Sequence, residues 1–123
     1  MLSRLICALA GSLLARVAAA AALALLALVS LLPRDVVVRT GAPGGLEHIT
    51  AYALTAMSIL LSFPTTKWIL VAVALSVYGA WLELAQKWIP GRTSELVGLL
   101  SNCIGSCIGS SATATLLNKV LPR

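Results

Sequence analysis

The chain has 123 residues, 59% of them hydrophobic and 11% charged, with a formal net charge of +5 and a mean hydropathy of +0.98. Soluble domains carry about 25% charged residues, so this composition excludes an ordinary water-soluble fold and points to an all-α, polytopic membrane four-helix bundle, a single domain of four spans of about 20 residues each. The positive charge is scattered over the ends of apolar stretches, which speaks for topology and headgroup contact and against a nucleic-acid surface.

The first span runs over residues 13–32 and is interrupted only by Arg16, whose stem can carry its charge to the headgroups near a helix end. Met1 to Ala22 also has the basic residue, apolar run and small residues of a secretory signal peptide. Arg16 breaks that would-be apolar segment, apolar character continues to Leu32, and Cys7 lacks the pattern of a lipoprotein cleavage site, so a retained helix is expected. A polar connection follows, Pro33-Arg34-Asp35 through Gly41-Ala42-Pro43-Gly44-Gly45, with Val36-Val37-Val38 as a candidate extended stretch.

The second span covers residues 46–63. Pro64-Thr65-Thr66 makes a tight turn in which either threonine can serve as N-cap, and Lys67 opens the third span, residues 67–89. So short a hairpin predicts that the second and third spans are antiparallel neighbours. Trp68 and Trp88 stand twenty residues apart, about 30 Å on a helix, and read as anchors at two interfaces. Glu83 then lies five residues, roughly 7–8 Å, inside the Trp88 boundary. After the Pro90-Gly91 turn, Thr93 or Ser94 is expected to cap the fourth span, residues 94–117, with Glu95 complementing the helix dipole in its first turn.

Four antiparallel spans divide the basic residues into Arg4, Arg16, Lys67, Lys119 and Arg123 on the N-terminal side and Arg34, Arg39, Lys87 and Arg92 on the other. Five against four is a slight bias toward both termini in the cytoplasm of a bacterial inner membrane. In either orientation the connection between the first two spans and that between the last two share one face of the membrane. His48 and, one turn deeper, Tyr52 enter there on the second span, Glu83 and Gln86 leave on the third, Arg92 occupies the turn, and Asn102 lies in the fourth. These six residues converge at similar depth, and polar groups gathered inside apolar spans are a default site hypothesis.

Leu46-Glu47-His48 with Ala51-Tyr52, then Leu82-Glu83-Leu84-Ala85-Gln86, Pro90-Gly91-Arg92, and Ser101-Asn102 followed by Gly105 and Gly109 form an ordered series over residues 46–109. In order and spacing the series resembles VanZ-like membrane proteins, a family named after a component associated with teicoplanin resistance. The resemblance implies a cell-envelope protein acting near cell-wall or surface-polysaccharide metabolism. Two positions depart from it: Gly44-Gly45 stands where an Asp-Lys pair is common, and Gly98 where an acid usually follows the turn arginine. Glu95, one turn earlier than Gly98, is the candidate replacement partner for Arg92.

Each residue also has a plainer reading. Glu83 and Lys87 are spaced for an i,i+4 pair, His48 for an interfacial hydrogen bond, Gln86 and Asn102 for interhelical glue, and Arg92 for headgroup anchoring. Ser101, Gly105 and Gly109 recur at four-residue intervals as a close-packing stripe, which can serve within the bundle, with the alanine run Ala18–Ala22 as counterpart, or between two copies in a homodimer. Cys7, Cys103 and Cys107 make no disulfide framework, and a single histidine with no four-ligand spacing makes no zinc site. No metal and no cofactor are expected, and phosphate-loop, dinucleotide and serine-elbow motifs are absent.

Three functions remain open. The preferred one is a non-catalytic envelope factor that binds a lipid, a lipid-linked cell-wall or polysaccharide precursor, or a partner protein through the polar cluster. The second is an enzyme using Glu83 and His48 as an acid/base pair on a lipid-linked headgroup, with Arg92 on a phosphate. The third is a small proton-coupled transporter, disfavoured because Glu83 lies near an interface and the first span has no acid.

Overall fold

The computed structural model describes residues 1–38 and 40–121; Arg39 and Arg123, both in the count of basic residues, lie outside the described residues. These are all-helical, with α1 (Leu2–Leu9), α2 (Leu13–Leu31), α3 (Gly44–Ser62), α4 (Trp68–Ala85) continued by one 3-10 turn (Gln86–Trp88), and α5 (Leu96–Val120). No strand occurs among the described residues, and Val36 closes a turn onto Pro33 O (3.1 Å) where an extended stretch was expected. Three helices are long and apolar enough to cross a membrane: α2, α4 with its 3-10 turn, and α5. α3 is as long as α2 but carries Glu47, His48 and several hydroxyls, so it is not one of them.

Helix ends differ from expectation in identifiable ways. α1 precedes the first span because Gly11, at φ 74, turns the chain between the two, and Ser12 caps α2 by accepting a bond from Ala15 N (3.1 Å). α3 begins two residues early, with Pro43 at its N-cap. Neither Thr65 nor Thr66 caps α4, whose N-cap is Lys67. α5 starts at Leu96 with Glu95 as an extended N-cap residue and no side-chain cap, because Thr93 donates instead to Glu95 Oε1 (3.2 Å).

α5 is the central element. It packs extensively on α3 and also on α4, α2 packs on α3, and α3 and α4 touch only lightly. The short hairpin does bring its two helices into contact, as expected, but lightly, since α5 takes the main contact with both. Its small residues permit this: a Cβ at Gly105 would lie 2.9 Å from Ile49 Cα, and one at Gly109 2.6 Å from Ala53 Cα. The stripe therefore meets α3, its i,i+4 partners being Ile49 and Ala53. It does not meet the alanine run of α2, where only Ala19 is buried.

Three buried hydroxyls are satisfied inside their own helices, whereas the buried Ser110 Oγ has no partner among the described residues. Thr55 donates to Ala51 O (2.8 Å), Ser62 to Ser58 O (2.7 Å) and Ser106 to Asn102 O (2.7 Å), so α3 and α5 can face each other through polar residues without unpaired donors at these positions. The apolar core joins Ile6, Tyr52, Ala56, Leu60, Val71, Leu75 and Leu117, and so draws on α1, α3, α4 and α5. Val73, Val77, Trp81, Ile104 and Ile108 face outward. At the α1 end, Arg16 stacks over the Phe63 ring at 5.6 Å, a definite partner where the sequence suggested only headgroup contact.

Candidate functional site

The end of the molecule opposite α1 is organised by one turn. Ile89-Pro90-Gly91-Arg92 closes with Arg92 N donating to Ile89 O (3.1 Å) and Gly91 at φ 77, the pattern of a type II turn with proline and glycine at its centre. This aims Arg92 at the last turn of α2, where Nε donates to Leu32 O (3.0 Å) and Nη2 to Val29 O (2.6 Å). Carbonyls at a helix C-terminus lack intrahelical donors and carry the negative end of the dipole, so a guanidinium there is both a cap and a charge match. Arg92 thereby ties the α4–α5 connection to α2, a role beyond headgroup anchoring.

His48 stands in the second turn of α3, and its Nδ1 lies 2.7 Å from Asn102 Oδ1 on α5. The carbonyl oxygen can only accept, so Nδ1 is the donor in this bond and Nε2 is left for the cavities. Asn102 is 1% exposed, and its bond spans two helices. One turn beyond His48, Tyr52 is buried; its Oη and Asn102 Nδ2 would each lie 3.0 Å from a Cβ at Gly79, so that glycine admits both.

Glu83 and Gln86 come from the C-terminal end of α4 and are 6% and 4% exposed. The helix tightens into its 3-10 turn at Gln86, leaving Lys87 exposed, and no ion pair joins Glu83 to Lys87 among the described residues. The Glu83 carboxylate lies on Gly98 of α5: a Cβ there would collide with Oε1 and stand 3.1 Å from Cδ. Gly98 thus leaves this position empty of side chain, and the Glu83 carboxylate fills the space.

Two cavities meet among these residues. One, of about 430 Å³, opens between α2 and α3; Leu25, Leu26, Val29, Ala51 and Leu54 make its apolar walls, and Glu47, His48, Gln86 and Arg92 lie at its polar end. The other, of about 380 Å³, lies toward the connections and is lined by Arg34, Glu83, Arg92, Thr93 and Glu95, with His48 and Gln86 again. Gly44, His48, Gln86 and Arg92 belong to both.

Of the six residues singled out in the sequence, His48, Gln86 and Arg92 line both cavities, Glu83 the polar one and Tyr52 the apolar one, while Asn102 holds His48 from behind. Sequence reasoning missed Arg34, Glu47 and Gly98. Glu47 accepts from Thr40 N (3.1 Å) and Thr40 Oγ1, which pins the α2–α3 connection over the site. Its adjacency to His48 was the available signal. Among the described residues no group of His, Cys, Asp and Glu is arranged to hold a metal ion. Comparison of the chain with protein-family models, curated proteins and solved structures finds no match.

Proposed function

We propose that the protein is a four-span inner-membrane protein of the bacterial envelope, with both termini cytoplasmic, that binds a lipid or lipid-linked precursor. The acyl chain occupies the slot between α2 and α3, and the phosphate-bearing headgroup sits at His48, Gln86 and Arg92. The observation that carries this reading is the junction of an apolar, side-opening cavity with a polar one at these three side chains. An amphiphile is the ligand whose two halves match the two cavities. α3 serves as the fourth span because its charged and imidazole groups are confined to the site end and its deeper hydroxyls at Thr55, Ser58 and Ser62 bond back to the helix. The VanZ-like order of segments extends the reading to cell-wall or surface-polysaccharide metabolism, so loss of the protein should alter sensitivity to teicoplanin-type glycopeptides.

The direct test is native mass spectrometry of the protein released from membranes. One lipid should remain bound per chain, and Ala51→Phe, which fills the slot, should lower occupancy without loss of helical content. A wild-type chain that carries no lipid, or an Ala51→Phe chain with unchanged occupancy, removes the proposal. A catalytic version has one supporting observation, the presence of Glu83 and His48 in the same polar cavity. It requires Glu83→Gln to abolish function in cells, and full function in that variant excludes it.

A further inference from the structure

We propose that the polar cavity selects a headgroup bearing a primary ammonium beside its phosphate, as phosphoethanolamine does, with Glu83 taking the ammonium and the Arg34–Arg92 wall taking the phosphate. The inference rests on the lipid-binding reading and adds the class of headgroup. Its basis is Glu83 itself. The residue is 6% exposed, its carboxylate lines the cavity, and among the described residues it forms no hydrogen bond or ion pair.

Carboxylates taken out of water are normally paired, and among the described residues none pairs with Glu83. Lys87, one turn on, is outside the cavity, and Gly98 offers no side chain but lets Oε1 settle against α5. What remains is a cavity with a buried acid in a wall that also carries Arg34 and Arg92. A purely anionic headgroup would meet the arginines and be repelled by Glu83, whereas a zwitterion satisfies both signs at once. A trimethylated ammonium has no N–H to donate to a carboxylate and is larger, so it fits this acid less well than a primary amine.

The experiment exchanges the full chain into equimolar phosphatidylethanolamine, phosphatidylglycerol and phosphatidylcholine and reads the bound lipid by native mass spectrometry. The expected result is about a tenfold preference for the ethanolamine lipid, the scale of one hydrogen bond to a charged group. Two variants test the assignment: Glu83→Gln removes the charge, and Gly98→Ala displaces the carboxylate, which as the end of a flexible side chain can move without disturbing the helices. Both should bring the preference close to unity while lipid is still bound.

Wild-type protein that binds all three lipids equally, or a preference that survives both variants, overturns the inference and leaves the lipid reading intact. Wild-type protein that retains no lipid overturns both. Soluble O-phosphoethanolamine is added as competitor: failure to displace the lipid at matched concentration supports a membrane source, and complete displacement keeps the ammonium–phosphate assignment while overturning the acyl-chain half of the lipid reading.

Discussion

α3 has two dissimilar sides. Toward α5 it presents Ile49 and Ala53 to Gly105 and Gly109, and the backbones approach until no Cβ fits between them. Toward α2 it presents Ala51, Leu54 and Thr55 to Leu25, Leu26 and Val29, and a cavity of about 430 Å³ remains. Glycines let the facing backbone close an interface; leucines and a valine set opposite alanine, leucine and threonine do not, because neither helix can approach past the larger side chains. The closed side fixes His48 through Asn102, and the open side provides room for a ligand beside it.

The sharpest way to break this contrast is to force the closed side open. Gly109→Leu places a branched side chain against the Ala53 backbone, which cannot move aside. It should destabilise the protein by about 3 kcal/mol, the upper end of ordinary overpacking, and detergent-solubilised protein should lose its cooperative thermal transition. An unchanged melting temperature would mean that α3 and α5 are not in backbone contact.

The next effect belongs to the tie between the two sides. Arg92→Ala removes two charge-assisted bonds to the C-terminus of α2 and should cost about 2 kcal/mol, with Arg92→Lys recovering part of it by keeping the charge near the exposed carbonyls. Thermal unfolding of the three proteins measures the order. Equal stability of the alanine and wild-type proteins would show that α2 is held by its apolar contacts alone.

Much of this arrangement can be read in the residues themselves. Hydropathy locates four helices to within a few residues at their ends, and alternating direction puts His48, Glu83, Gln86 and Arg92 at one end whatever the packing. Adjacency is another matter. A short hairpin determines the direction of α4 relative to α3, but distant glycines on α5 determine which helix α3 packs on most closely. The target of Arg92 was also hidden, since its partners are backbone carbonyls that every sequence possesses. Eight residues of α1 are too few to stand out as a span, and a cavity is a property of side chains that fall short of one another, which no single residue announces.

A smaller effect is expected at the site's polar bond. His48→Ala, Asn102→Ala and the double variant form a cycle whose coupling should be about 1 kcal/mol, within the range of interhelical side-chain bonds in membranes. Coupling near zero would mean that Asn102 does not orient His48. The same two single variants should also differ in lipid occupancy, because His48 lines both cavities whereas Asn102 acts only through it.

The smallest effect on stability serves the largest question of topology. Gly44 has open space around its Cα, and Thr93 is exposed, so Gly44→Cys and Thr93→Cys should each change stability by no more than about 0.5 kcal/mol. Both positions line the polar cavity, one from each connection. In a background lacking Cys7, Cys103 and Cys107, an impermeant thiol reagent added to intact cells should label both, while Cys7 restored alone, at the opposite end beside Val120, should stay unlabelled. That pattern places the cavities on the wall side with the termini in the cytoplasm. Labelling of Cys7 in place of the other two would invert the protein and move its ligand to the cytoplasmic leaflet. Labelling of only one of Gly44→Cys and Thr93→Cys would separate the two connections and dissolve the shared site.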